Sequence, residues 1–279
     1  MSANGRMDEN AIAALLGKVF RAWDRWGMES CTTHGTEALI RQEAARLART
    51  VAFLDDGPEP RRLVEIGTGY LTLATTLRHQ FPEAEMIGVE HPQRPYVWLP
   101  EYRARLTEER IRLVAVDLVG SGLPFRSQTF DVAVFAEVVE HLPPHTVPAA
   151  LDEISRVLAP RGVLVLTTPN LAAWGNRELL LRGHSPQQSP LRVIDGTYGH
   201  LRLYTMAELV ALLEASGFKV VRRAFIDQVA VGISLIRRVL RALLWPARVL
   251  WPSLRDTCMV RAVRVEGGIE SDRGGVKSL

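Results

Sequence analysis

The feature that most constrains this chain is a change of rhythm near residue 60. Upstream, Ala11, Ile12, Leu15, Leu16, Val19, Phe20, Trp23 and Trp26 fall at helical spacings, which predicts a helix. A second helix is predicted over 36–53, stopped by Asp-Asp-Gly-Pro at 55–58. Downstream, short apolar runs alternate with amphipathic segments. Strands are predicted at 61–66, 84–90, 111–117, 130–136, 162–169 and 218–224. Helices are predicted at 70–79, 96–109, 147–158 and 205–218, the last opening on a Thr205–Glu208 capping-box pattern. A final apolar run, CMVRAVRV at 258–265, reads as a returning strand. Apolar strands separated by helices need a mostly parallel sheet covered on both faces. Ligands of such sheets bind beyond the carboxyl ends of the strands.

With 279 residues, 47% of them hydrophobic, the chain can bury one substantial core. Charged residues make up 23% and are mixed in sign, which argues against global disorder. A net charge of +3 requires no nucleic-acid partner, and none is expected. Cys31 and Cys258 are far apart and in no metal-ligand spacing, so a reducing, cytoplasmic setting is expected. The polar first ten residues do not fit a signal peptide, and no apolar run reaches the 18 residues of a membrane span.

Two regions break the alternation. Residues 183–199 have little pattern and several turn formers, the mark of a functional loop or a surface one. Residues 229–252 are strongly apolar but interrupted by Arg237, Arg238, Arg241 and Arg248, with Trp245 and Trp251 near the end. Such a segment either lies at a membrane surface or packs on the domain as a helix pair. Residues 266–279 are expected to be disordered.

The stretch VEIGTGYLTLAT at 64–75 opens like a nucleotide-binding crossover. A dinucleotide fingerprint, however, would place its third glycine where Leu71 or Thr72 stands. Glu65, two residues before Gly67, is wrong for a pyrophosphate, which a carboxylate would repel. It suits a cofactor that is cationic there. S-adenosylmethionine (SAM) carries an ammonium and a sulfonium and has no phosphate. Gly67 and Gly69 let backbone approach the ligand. Glu90 ends the second strand, where a carboxylate meets ribose hydroxyls. Asp117 ends the third, where the adenine edge is expected.

On these residues the chain resembles the class I SAM-dependent methyltransferases, in their type 11 and type 12 small-molecule branch, which includes ubiquinone-pathway O-methyltransferases. The matching pieces are VEIGTG, MIGVE, AVDLVGSGLPF, FDVAVFAEVVEHL, LDEISRVLAPRGVLVLTTPN and GHLRLYTMAELVALLEASGFKVV, in family order. The resemblance implies an α/β, Rossmann-like fold with a seven-stranded, mostly parallel sheet in the order 3-2-1-4-5-7-6. Residues 59–265 would form the methyltransferase domain, 1–58 an N-terminal helical cap, and 229–252 an insertion before an antiparallel seventh strand. It implies a cofactor site of Glu65, Gly67, Gly69, Glu90, Asp117, Leu118 and Ala136. Leu71 departs from the pattern, since the family commonly has glycine there. That change is expected to narrow the loop beside the methionine part of SAM, and it is the one feature pointing instead to a non-catalytic SAM-fold regulator.

Methyl transfer needs an aligned nucleophile, an excluded solvent and, for a hydroxyl, a base. The family's Glu-His pair maps onto Glu140 and His141, with His141 as base or positioning residue. His145 is expected at the surface. Asn170, Trp174, His200, Arg202 and Tyr204 flank the post-strand loops and are expected to meet the acceptor, with Trp23 and Trp26 covering its pocket. The acceptor is expected to be small or lipid-linked and to react through oxygen. This branch implies no metal. Glu137, Glu140, His141 and His200 are also similar to the metal-binding set of the small-RNA 2′-O-methyltransferases, an alternative in which an ion activates a ribose hydroxyl.

Overall fold

A computed structural model describes residues 6–25, 37–54, 57–187, 193–194, 197–227, 243 and 245–265. Two helices open the chain, α1 (Glu9–Arg25) and α2 (Glu37–Leu54). The alternating part follows as β1 (Arg62–Ile66), α3 (Thr72–Gln80), β2 (Glu85–Glu90), α4 (Pro100–Glu108), β3 (Ile111–Ala115), α5 (Leu118–Ser121) and β4 (Phe130–Ala136). Then come α6 (Val147–Val157), β5 (Leu158–Pro169), α7 (Trp174–Leu181), a short hairpin of β6 (Val193–Ile194) and β7 (Thr197–Tyr198), and α8 (Met206–Ala215). The chain closes with β8 (Phe218–Ile226), α9 (Trp245–Leu250) and β9 (Thr257–Arg264).

The main sheet has seven strands in the order β3-β2-β1-β4-β5-β9-β8. The five from β3 to β5 pair in parallel, and β9 runs antiparallel to both β5 and β8. This is the expected order, with 258–265 returning as the penultimate strand.

Strand residues alternate between two cores. Leu63, Val132 and Val165 face one side, with Ile12, Leu16, Leu47 and Val51 of the N-terminal helices and Leu77 of α3. Val64, Ala133 and Phe135 face the other, with Leu151 and Ile154 of α6 and Leu209 and Leu213 of α8. The N-terminal helices are therefore a layer on the sheet, not merely a cap over its mouth. The expected covering of the pocket by Trp23 and Trp26 lies outside the described side chains.

Local chemistry sets several boundaries. The helix expected at 96–109 splits into a 3₁₀ turn, Pro95–Trp98, and α4, because Leu99 is extended (ψ 132°) ahead of Pro100. Helix α8 starts on a complete capping box: Glu208 N–H donates to Thr205 Oγ1 at 3.3 Å and Thr205 N–H to Glu208 Oε2 at 2.8 Å. Part of the patternless 183–199 stretch pairs as the β6–β7 hairpin.

Most of 229–252, and the tail 266–279, lie outside the described residues. In α9, Arg248 is buried and pairs with Asp227 and Asp256, so it is an internal brace and not a headgroup contact. Leu243, Trp245, Leu250 and Trp251 are 60–71% exposed. Among the described residues no helix is long and apolar enough to cross a membrane.

Candidate active site

The period of two along β1 places Glu65 on the same face as Leu63, toward α2. Glu65 is buried, and its Oε2 has no hydrogen-bond partner among the described residues. Burial drives its pKa well above the usual carboxylate range, Glu90 adds to this, and Arg46 opposes it. Beyond the strand, Gly67 N–H donates to Val89 O at 2.8 Å with φ 85°. A Cβ on Gly67 would lie 2.4 Å from Val138 Cγ2, so this glycine answers a close approach of chain to chain. A Cβ on Gly69 (φ 48°) would meet nothing within 4 Å, so the loop is open there, where a ligand must come close.

The same parity along β2 brings Glu90 to this face. Its Oε2 accepts from Gly69 N–H at 2.8 Å and from the Tyr96 hydroxyl at 3.1 Å, and its Oε1 accepts from His91 N–H at 2.8 Å. Tyr102 supports the loop from behind: its hydroxyl donates to Gly69 O at 3.1 Å and bonds Thr68 Oγ1 at 2.9 Å. Asp117 caps α5 by accepting from Val119 N–H at 3.0 Å, and Leu118 beside it is buried. Ala136 ends β4, half-buried against the core shared with the N-terminal helices.

Leu71 has φ 61°, the conformation that explains why glycine is favoured at this point. Its side chain is fully buried in the core with Leu16, Leu47 and Leu77. It therefore does not narrow the loop, and it lends no support to a non-catalytic reading.

Glu137 follows β4 in a left-handed conformation (φ 56°), with its N–H on Thr167 O and its Oε1 accepting from Thr167 Oγ1 at 2.7 Å. Glu140 is fully buried and its Oε2 accepts from Thr168 Oγ1 at 2.8 Å. Burial raises the Glu140 pKa well above the usual range, with Glu137 adding to it. Thr167 and Thr168 are neighbours on one strand, so they point to opposite faces and draw the two glutamates apart. Glu140, His141 and His200 do converge, with potential ligand atoms within 4.8 Å of one another, but Glu137 is not in that group. The four-residue metal set is incomplete for that reason. His141 and His200 meet edge to face at 5.0 Å. Burial, then His141, pushes the His200 pKa down to about 4, so His200 is neutral at neutral pH.

One charged residue escaped the sequence reading. Arg46, on α2, has a largely buried side chain that ion-pairs with Glu43 at 2.7 Å. Burial disfavours its charge, but Glu43, Glu137 and Glu65 outweigh this and raise its pKa. A signal was present: Glu43, Arg46 and Thr50 form a polar stripe at i, i+3 and i+7 beside the apolar Ala44, Leu47 and Val51.

A family model described as a methyltransferase domain matches residues 39–223. The chain belongs to this family. It is a class I SAM-dependent methyltransferase. The matched region begins inside α2, so it includes Arg46. A demethylmenaquinone methyltransferase from Thermus thermophilus is 28% identical over 174 residues, 58% of this chain and 76% of that protein. Among solved structures, 1,6-didemethyltoxoflavin-N1-methyltransferase from Burkholderia thailandensis is similar at TM-score 0.52 and 18% identity, covering 93% of this chain and 92% of that one. A methyltransferase in complex with the Haloferax volcanii Trm112 activator gives TM-score 0.55 at 17% identity, over 88% and 98% of the two chains. The [4+2]-cyclase SpnF gives 0.53 at 19%, over 81% and 84%. A cyclase among these neighbours means that the shared fold alone does not settle the reaction.

The methyltransferase's residues fit SAM. Buried carboxylates at the ends of β1 and β2 suit a cationic cofactor, and the open side of Gly69 admits it. Several expected acceptor contacts are otherwise engaged. Asn170 is fully buried, with Nδ2 donating to Ser253 O and Arg255 O at 2.8 Å and Oδ1 accepting from Ala172 N–H. It ties two loops together and does not face an acceptor. The Tyr204 ring lies in the core, and its buried hydroxyl has no hydrogen-bond partner among the described residues. Arg202 pairs with Glu208 at 2.7 Å and stacks on Tyr204, bracing the start of α8. Glu140 is fully buried beside His141 and His200. His141 and His200 are half-buried and Trp174 is partly exposed.

Proposed function

We propose that this methyltransferase moves a methyl group from SAM to an oxygen of a small or lipid-linked acceptor. The observation that carries the reading is the His141–His200 pair at the end of β4, backed by buried Glu140 and on the rim that holds Glu65 and Glu90. When bound, SAM supplies an electrophilic methyl on a sulfonium. Glu90 would hold the ribose hydroxyls and Glu65 the ammonium. His141 would take the proton of the acceptor hydroxyl as that oxygen meets the methyl group. Neutral His200 packs against it and keeps a second positive charge away from the site.

The lipid-linked option rests on two further observations. The curated relative's name gives demethylmenaquinone as the acceptor of that protein. Leu243, Trp245, Leu250 and Trp251 are exposed, and such side chains suit the headgroup region of a membrane.

The test uses purified protein, SAM and a short-chain quinol as probe acceptor. Methyl ether formation is expected, with His141→Gln lowering kcat about 100-fold and leaving S-adenosylhomocysteine affinity unchanged. An unchanged kcat in the variant removes His141 as base. A methyl group found only on carbon or nitrogen removes the oxygen acceptor.

A further inference from the structure

Two short helices carry apolar side chains that the core does not take up. Helix α7 holds Trp174, Leu179, Leu180 and Leu181, yet none of its residues is buried, and Leu181 is 86% exposed. Helix α9 is held from one side only. Its Arg248 is buried and pairs with Asp227 and Asp256, while the exposed Trp245, Val249 and Leu250 span about 140° of the rest of its surface. Both helices stand at one place on the sheet. Pro169, at the end of β5, pairs with Thr257, at the start of β9. Next to this pair, Asn170 Nδ2 donates to Ser253 O at 2.8 Å, and Asn170 O accepts from Asn176 Nδ2 at 2.8 Å. Ser253 follows α9 and Asn176 lies in the first turn of α7, so one asparagine ties both helices to the carboxyl edge of the sheet. His141 follows β4 at that same edge.

We propose that α7 and α9 dock the methyltransferase on an anionic bilayer, with the carboxyl edge of the sheet turned toward the lipid. This rests on the lipid-linked reading above and deepens it by naming the surface that meets the membrane. The charges suit this partner. Between Asp227 and Asp256 the sequence has no acid, but it has Arg237, Arg238, Arg241, Arg248 and Arg255. Arg248 and Arg255 pair with the two flanking acids. Arg237, Arg238 and Arg241 have no acid near them in sequence, and such basic stretches are drawn to anionic lipid. On α7 and just after it, the exposed Arg177 and Arg182 outnumber Glu178. The distribution of apolar side chains favours lipid over a protein groove. A groove takes one stripe of a helix. Leu179, Leu180 and Leu181 are consecutive and exposed, so they spread over about 200° of the helix end. Lipid can surround such an end. Trp245 and Trp251, exposed at the two ends of α9, carry the amphipathic rings that settle at headgroup level.

The test is flotation of the full chain with vesicles, which needs neither cofactor nor acceptor. The vesicles are phosphatidylcholine alone or an equimolar mixture of phosphatidylcholine and phosphatidylglycerol. The parent is expected to float with the mixture, far less with phosphatidylcholine alone, and less with either as salt is raised. Trp245→Gln with Leu250→Gln, and Leu180→Gln with Leu181→Gln, should each lower the partition coefficient about 10-fold or more. S-adenosylhomocysteine affinity and the urea midpoint should stay as in the parent, because the replaced side chains are exposed. A parent that floats with neither vesicle overturns the proposal, as do variants that float as the parent does and a parent that floats equally with both vesicles. A parent that does not float but forms a dimer broken by the α9 substitutions also overturns it, since the occupant is then a second copy. Failed flotation leaves methyl transfer from SAM standing. A chain that floats but makes no methyl ether with the probe quinol removes the oxygen-acceptor reading and leaves the docking surface in place.

Discussion

Glu90 holds the glycine loop that lies 21 residues before it: its Oε2 accepts the Gly69 N–H at 2.8 Å. The carboxylate that meets ribose in such folds therefore also shapes the loop beside it. Glu90→Ala should weaken S-adenosylhomocysteine about 10- to 100-fold, since hydrogen bonds to a charge are worth about 1.5–3 kcal/mol. Glu90→Gln, which keeps one acceptor oxygen, should lose less. Calorimetric titration checks both, and equal affinities in the three proteins would be the contrary result.

Gly67 and Gly69 should respond differently to alanine. At Gly67 the new Cβ would strike Val138 in a left-handed backbone, so Gly67→Ala should lose about 2–4 kcal/mol of stability. At Gly69 the Cβ enters open space, so Gly69→Ala should lose only about 1–2 kcal/mol for its backbone conformation. It should nonetheless bind cofactor poorly, because that space is where the ligand comes close. Urea unfolding and ligand titration separate the two effects.

Leu71→Gly relieves a left-handed leucine, worth about 1–2 kcal/mol, but removes a fully buried side chain worth about 2–5 kcal/mol. The net expectation is a loss of about 1–3 kcal/mol with little change in cofactor affinity. A clear gain in affinity would show that the leucine does crowd the loop.

His200 gives a pH dependence whose sign follows from burial. Its folded-state pKa is about 4 against an ordinary 6.5. Between these values the unfolded chain holds a proton that the folded one does not, so stability falls as pH drops from about 6.5 toward 4. Glu65 and Glu140, raised by burial, act oppositely: their contribution weakens as pH rises above the ordinary carboxylate range. Comparing urea midpoints of the parent and His200→Gln isolates the histidine. The parent should lose ground to the variant as the medium becomes acidic, and parallel curves would contradict this.

The strand–helix alternation, the sheet order, the Thr205–Glu208 cap and the acids at the ends of β1 and β2 were all legible in the chain. The sheet order follows from the family resemblance, and each of the others depends on local periodicity or on a short motif whose geometry comes with it. Parity along β1 and β5 was also written there: it puts Glu65 beside Leu63 and sends Thr167 and Thr168 to opposite faces, which is why Glu137 and Glu140 part. Other assignments could not be read locally. Asn170 carries the right type and spacing for an acceptor contact, yet Ser253 and Arg255, more than 80 residues on, use its amide. Leu71 reads as a damaged glycine loop until α1 and α2 supply the core that buries it. Arg46 reads as one arginine among many until the packing of α2 on the sheet brings it near Glu65 and Glu137. Residue order sets the directions in which side chains leave the backbone, whereas contacts between distant segments decide which buried charges meet and which remain unpaired.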